Sequence, residues 1–225
     1  MSRFCKYVMI IKIFVFLFSF NLIISKDLQN DVRWVVKSNE YKALTNQIYS
    51  MAWIEIKSDI KKFKCKNLAV VMDLDETVLD NSGYQIFLSE GNQSYNPKTW
   101  DDWVVKEKAN LVPGAQEFIK NLRKKNIQLI FISNRMDLRL EETKRNMDAL
   151  GVLGSDDIFL LRLDKADKKT VRRDEIFNST GRMEGKKRYK VIAYFGDAMG
   201  DFPTDKESKF GTEYFILPNP MYGKW

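Results

Sequence analysis

The stretch Ala69-Val70-Val71-Met72-Asp73-Leu74-Asp75-Glu76-Thr77 decides how this chain is read. A short, continuously apolar run ends in two carboxylates two residues apart, and a hydroxyl follows. Unbroken apolarity over residues 68–72 predicts a strand buried on both faces, as in a parallel sheet. Where such a strand ends, one turn of chain can hold a nucleophile, an acid or base, and a cation site.

Two more segments read the same way, residues 127–132 (Ile-Gln-Leu-Ile-Phe-Ile) and 190–195 (Lys-Val-Ile-Ala-Tyr-Phe). Shorter strands are predicted at 158–161 and 214–217. Helical patterns lie between them. One opens at Pro113-Gly114 and runs to about residue 125, with Phe118, Ile119 and Leu122 inward. A second covers 137–150 and is stopped by Gly151, and a third covers 168–177. Strands alternating with helices predict an α/β fold with a doubly wound parallel sheet. Ligands of such sheets bind beyond the carboxyl ends of the strands. This chain places polar residues there: Asp73 and Asp75, then Ser133-Asn134-Arg135, then Gly196-Asp197.

Two segments fall outside the alternation. Residues 41–63 read as an N-terminal helical addition, with Leu44, Ile48, Ala52, Ile56 and Ile60 at four-residue spacing and Tyr41 and Phe63 extending the stripe. Residues 81–111 hold Tyr84, Phe87, Tyr95, Trp100 and Trp103 among the turn residues Gly91, Asn96 and Pro97. They lie between the first strand and its helix, where a cap over the site can be inserted.

The 225 residues suffice for one such domain with an elaboration. There is no histidine. A Ser-His-Asp triad, a phosphohistidine and a His-bearing zinc site are thereby excluded, and acid/base work falls to carboxylates, lysine or tyrosine. The net charge of +7 includes Arg3, Lys6 and Lys12, and the remainder is too mild to argue for a nucleic acid polymer as partner. Residues 1–25 read as a signal peptide, with a basic start, an apolar stretch at 13–24 and small polar Ser25. The alternative is an uncleaved segment that anchors the protein to a membrane. Cleavage predicts a secreted or periplasmic protein occupying residues 26–225. It would also leave Cys65 without Cys5, so no intramolecular disulfide is expected.

Phosphoryl transfer asks for this set of residues. A carboxylate can attack phosphorus and split one hard step into two. Carboxylate and phosphate repel, so a hard cation such as Mg²⁺ must bridge them. A second acid must protonate the departing oxygen, and fixed donors must hold the remaining phosphate oxygens. Asp73 is the candidate nucleophile and metal ligand, and Asp75 the acid/base. Ser133 and Asn134 are candidate phosphate donors, with a lysine from Asp167-Lys168-Lys169-Thr170 beside them. Asp197 and Asp201 would complete the cation site.

These residues resemble a known family. Asp73-Leu74-Asp75-Glu76-Thr77 is similar to the first motif of the haloacid dehalogenase (HAD) superfamily phosphatases. Ser133, the lysine pair and Gly196-Asp197-Ala198-Met199-Gly200-Asp201 are similar to the second, third and fourth. Asp75 to Ser82, Ile132-Ser133-Asn134-Arg135 and Leu217-Pro218-Asn219-Pro220-Met221-Tyr222-Gly223-Lys224-Trp225 resemble the class C acid phosphatases, exported bacterial enzymes some of which are 5′-nucleotidases. The resemblance implies an aspartyl-phosphate intermediate and Mg²⁺ held by the Asp73 side chain, the Asp75 backbone carbonyl and Asp197, with Asp201 on a metal-bound water. Lys169-Thr170-Val171-Arg172 resembles the family's third motif better than a frame starting at Lys168, which stays open. The family's aromatic sandwich for a nucleobase maps to Tyr84, Trp100 and Tyr222, with Trp103 in reserve. The implied partner is a small phosphomonoester, and the resemblance allows a homodimer. Two other functions compete: a storage or binding protein that kept the fold and lost catalysis, as in plant vegetative storage proteins, and a phosphotransferase.

Overall fold

A computed structural model describes residues 28–63, 67–203 and 207–223. The expected signal segment 1–25, Cys65 and Trp225 lie outside the described residues. Five strands form one sheet: β1 (Leu68–Met72), β4 (Gln128–Met136), β5 (Ile158–Arg162), β6 (Lys190–Gly196) and β7 (Tyr214–Ile216), while β2 (Leu79–Asp80) and β3 (Asn110–Leu111) are a separate short pair. The spatial order is β5-β4-β1-β6-β7, and every neighbouring pair is parallel. The central strand is the one that the opening stretch predicted.

All five residues of β1 are buried, because both faces of the sheet are covered. Val70 and Met72 point into one core with Leu129, Phe131, Ala193 and Phe195. Three helices close that side: α2 (Asn39–Lys62), α5 (Ala115–Arg123) and α6 (Leu140–Ala149). Ala69 and Val71 point into a second core with Ile130, Ile132 and Leu160, covered by Ile176 of α7 (Lys169–Asn178). A short helix α1 (Asn30–Lys37) precedes α2, and the side chain of Ser38 caps α2 by accepting from Tyr41 N–H at 3.0 Å.

The buried face of α2 differs from the four-residue stripe. Tyr41, Thr45, Tyr49, Ala52 and Ile56 are buried, whereas Leu44 is 37% exposed. At 3.6 residues per turn, a strict four-residue step drifts by about 40° each time, so the stripe winds around the helix. The face that meets the sheet corrects the drift with a three-residue step from Tyr49 to Ala52. Tyr49 stacks against Phe195 with ring centroids 5.8 Å apart, and its hydroxyl donates to the Thr77 carbonyl at 2.5 Å. The helical addition therefore braces the loop that follows β1.

Between β1 and α5 the chain leaves the sheet. It pairs β2 (Leu79–Asp80) antiparallel with β3 (Asn110–Leu111), which closes a neck. Beyond the neck lie α3 (Ser82–Glu90) and α4 (Pro97–Val105), two short helices that the sequence reading left unassigned. Asn96 caps α4 by accepting from Lys98 N–H at 2.8 Å, and Pro97 opens the helix where no N–H is needed. Helix α6 and the turn before it hold the insertion. Arg139 grips both oxygens of Asp101 at 2.6 Å, and the Asn146 amide pairs with both backbone groups of Ala109 at 3.2 and 3.1 Å.

Candidate active site

Asp73 is the first residue past β1, and its N–H still donates to Phe195 of β6 at 2.9 Å. This bond fixes the carboxylate at the carboxyl end of the central strand, where it is only 6% exposed. Lys169, the first residue of α7, places Nζ 2.8 Å from Asp73 Oδ1, within ion-pair distance but off the line of a hydrogen bond. The same ammonium pairs with Asp201 Oδ1. Lys168 is exposed, so Lys169 is the lysine that reaches the cluster.

Asp201 is held from behind, its Oδ2 accepting from Ala198 N–H at 3.0 Å. Asp197 follows β6 and accepts from the Asn219 amide at 2.7 Å. That bond ties the C-terminal tail to the site, and Tyr222 follows half-buried three residues later. Asp73, Asp197 and Asp201 each offer an oxygen, and these atoms lie within 4.8 Å of one another. Burial and the neighbouring carboxylates push Asp73 well above the usual carboxylate range against the pull of Lys169. Burial raises Asp197 to about 6 despite the Asn219 bond. The Lys169 ammonium is held charged: burial alone would lower its pKa, and Asp73 and Asp201 outweigh that.

The residues fit a divalent cation. Three hard oxygen donors converge within 4.8 Å of one another, two of them on buried side chains. A single lysine leaves them with excess negative charge. The Asp75 carboxylate is not in this cluster. Its Oδ1 accepts from Arg135 Nε and Asn81 Nδ2, both at 2.9 Å, and its Oδ2 faces Ser133 Oγ at 3.3 Å. Two carboxylates two residues apart thus have different surroundings, one among carboxylates and the other under an arginine.

Ser133 is fully buried within β4, where the register with β5 begins to shift, its hydroxyl between Asp75 and the N–H of Arg135. Asn134 is exposed at the mouth, and its Oδ1 accepts from Arg172 Nη2 at 2.8 Å. A guanidinium can only donate, so this contact turns the amide's NH₂ end outward. Arg172 has no exposed surface. It also donates to the carbonyls of Ser133 at 2.5 Å, Leu160 at 3.2 Å and Asp167 at 3.0 Å. It locks the end of β4 to the loop carrying Lys169. Sequence reading gave it no role, although it lies one helical turn after Lys169 on the same face.

The aromatic residues divide. Tyr84 is 1% exposed, its hydroxyl 2.9 Å from Thr99 Oγ1 and its ring packed edge-on to Trp100 at 5.2 Å. Its ring is enclosed by Phe87, Trp100 and Trp103 of the insertion's own core. Trp100 is half-buried with the Arg135 guanidinium 5.9 Å from its ring centre. Trp103 donates Nε1–H to Asn81 Oδ1 at 3.0 Å. Tyr95, named among the insertion's aromatic residues but not among the expected nucleobase contacts, is 63% exposed.

Residues 19–225 match the family model described as HAD superfamily, subfamily IIIB (acid phosphatase). The chain belongs to this family. It is a HAD-type phosphomonoesterase, and divalent-metal use is general in that family. The class C acid phosphatase from Bacillus anthracis is similar in structure, with TM-score 0.76 and 31% identity, over 86% of this chain and 84% of that one. The same enzyme with tungstate bound aligns at TM-score 0.75, with the same identity and coverage. Vegetative storage protein 1 of Arabidopsis thaliana is 26% identical over 192 residues, 84% of this chain and 67% of that protein.

Proposed function

We propose that this acid phosphatase is an exported, Mg²⁺-dependent enzyme that hydrolyses nucleoside 5′-monophosphates or similar small esters through an aspartyl-phosphate. The separation of Asp73 from Asp75 carries the reading: the first sits with Lys169, Asp197 and Asp201, the second under Arg135 and Asn81. In this scheme Asp73 attacks phosphorus. The ester P–O bond breaks, its electron pair stays on the leaving oxygen, and that oxygen takes a proton from Asp75. Asp75 then removes a proton from the water that cleaves the acyl phosphate. Mg²⁺ on Asp73, Asp197, Asp201 and the Asp75 carbonyl would offset the repulsion between carboxylate and phosphate. Lys169, Ser133 and the outward NH₂ of Asn134 would hold the phosphate oxygens.

The tungstate complex of the Bacillus anthracis enzyme supports an oxyanion site of this kind. Trp100 and Tyr222 are the proposed aromatic contacts of the nucleoside, while buried Tyr84 supports them from beneath. Export rests on the apolar segment ending near Ser25. The plant relatives favour a storage role as the second reading. The test is phosphate release from a nucleoside 5′-monophosphate at mildly acidic pH, with Mg²⁺ or EDTA, beside Asp73→Asn. Metal-dependent release absent from the variant supports the enzyme reading. No release from that ester or from an aryl phosphate supports storage.

A further inference from the structure

Asn81 lies between the insertion and the site. It is fully buried, and its Oδ1 receives two donors, Trp103 Nε1 at 3.0 Å and Arg135 Nη2 at 3.2 Å. Neither an indole N–H nor a guanidinium can accept, so the atom facing them must be the oxygen. The NH₂ end is thereby turned to Asp75 Oδ1 at 2.9 Å and to the Leu79 carbonyl at 3.3 Å. A flipped amide would set donors against donors in a buried place and leave each of them unsatisfied.

Trp103 has a fitted seat. A Cβ on Gly83 would stand 2.7 Å from its Cη2, so only glycine leaves room for the ring. Gly83 lies in the first turn of α3 and is not among the residues with a left-handed backbone, so the turn itself does not require glycine there. The ring occupies the space that the missing side chain leaves.

We propose that Trp103 is a positioning residue for Asp75, acting through Asn81. Its N–H helps choose the amide orientation that gives Asp75 Oδ1 a second donor beside Arg135 Nε. With Oδ1 doubly occupied, Oδ2, which meets only the longer 3.3 Å contact from the Ser133 hydroxyl, is the oxygen that passes a proton to the leaving group. The proposal rests on the reading of Asp75 as the acid. It assigns Trp103 to the alignment of that acid, and not to stacking on substrate.

The test uses the full chain, Trp103→Phe, which keeps an aromatic side chain but deletes the N–H together with part of the indole. kcat/KM is measured on a series of substituted phenyl phosphates, together with inhibition by inorganic phosphate. An acid held out of line hurts poor leaving groups most. The expected result is a loss about ten-fold larger for phenyl than for 4-nitrophenyl phosphate, with phosphate inhibition little changed and a lowered thermal midpoint from the lost indole packing, which does not depend on the leaving group. A uniform loss across the series, or none, overturns the proposal if Asp75→Asn does steepen the leaving-group dependence. If Asp75→Asn leaves that dependence unchanged, the acid assignment itself falls, and the proposal with it.

Discussion

The two walls of this site are built by different physics. At the strand ends, Asp73, Asp201, Asp167 and Arg172 are buried charges, with Lys169 nearly so. They are placed by the chain that follows β1, β5 and β6 and by the first turn of α7, which the sheet leaves little freedom. The insertion has two short helices on a neck of two residue pairs, filled with rings and tied by partly exposed ion pairs such as Arg139–Asp101. Charges act strongly where solvent is excluded and the backbone is rigid. Rings tolerate small displacement. The strand-end wall is suited to the reaction common to phosphomonoesters, and the insertion to what distinguishes one ester from another.

The contrast can be broken by mutation. Asp73→Asn should lower kcat/KM for every ester by at least about a thousand-fold while circular dichroism stays unchanged. Lys169→Met should come next. It leaves buried carboxylates without their cation and should cost about 3 kcal/mol in urea unfolding with EDTA present. Added Mg²⁺ should recover part of that loss, because an ion that binds only the folded state stabilises it.

Asp167 gives a pH test. Burial raises its pKa, but the Leu163 N–H and the Arg182 and Arg172 guanidiniums prevail and hold it below the ordinary range. A depressed carboxyl contributes stability above its unfolded pKa of about 3.9, and the contribution fades as pH falls through the lower folded value. Asp167→Asn should therefore cost about 2–3 kcal/mol at neutral pH, and much less in strong acid.

The insertion should yield smaller numbers. Tyr84→Phe removes one hydroxyl contact, to Thr99, and should cost about 1 kcal/mol by thermal unfolding. Lys98→Ala deletes a solvent-exposed pair with Asp102 and should leave the midpoint unchanged within error. A loss from Tyr84→Phe as large as that from Lys169→Met would erase the contrast.

The sheet was legible because each strand is short, apolar and followed by polar residues. The predicted strand at 68–72 matches β1, and the one at 190–195 falls one residue short of β6. The insertion's helices were not legible. Gly83 and Gly91 weaken the α3 pattern, and the aromatic residues there follow no single face. Arg172, Asn81 and Tyr49 could not be given roles either, since each acts on residues 22 to 54 positions away or across a turn whose shape the sequence does not state.

The sequence alone determined the α/β class, the family and the order of the chemistry-bearing residues, because these depend on local periodicity and on residue types at fixed spacing. Only the tertiary structure decided that Lys169 and not Lys168 meets Asp73, that Asp75 turns away from the carboxylate cluster, and that Tyr84 is buried. Those outcomes depend on which groups oppose one another across the carboxyl edge of the sheet. Such contacts join residues remote in sequence, and their strength is set by burial that the folded chain creates.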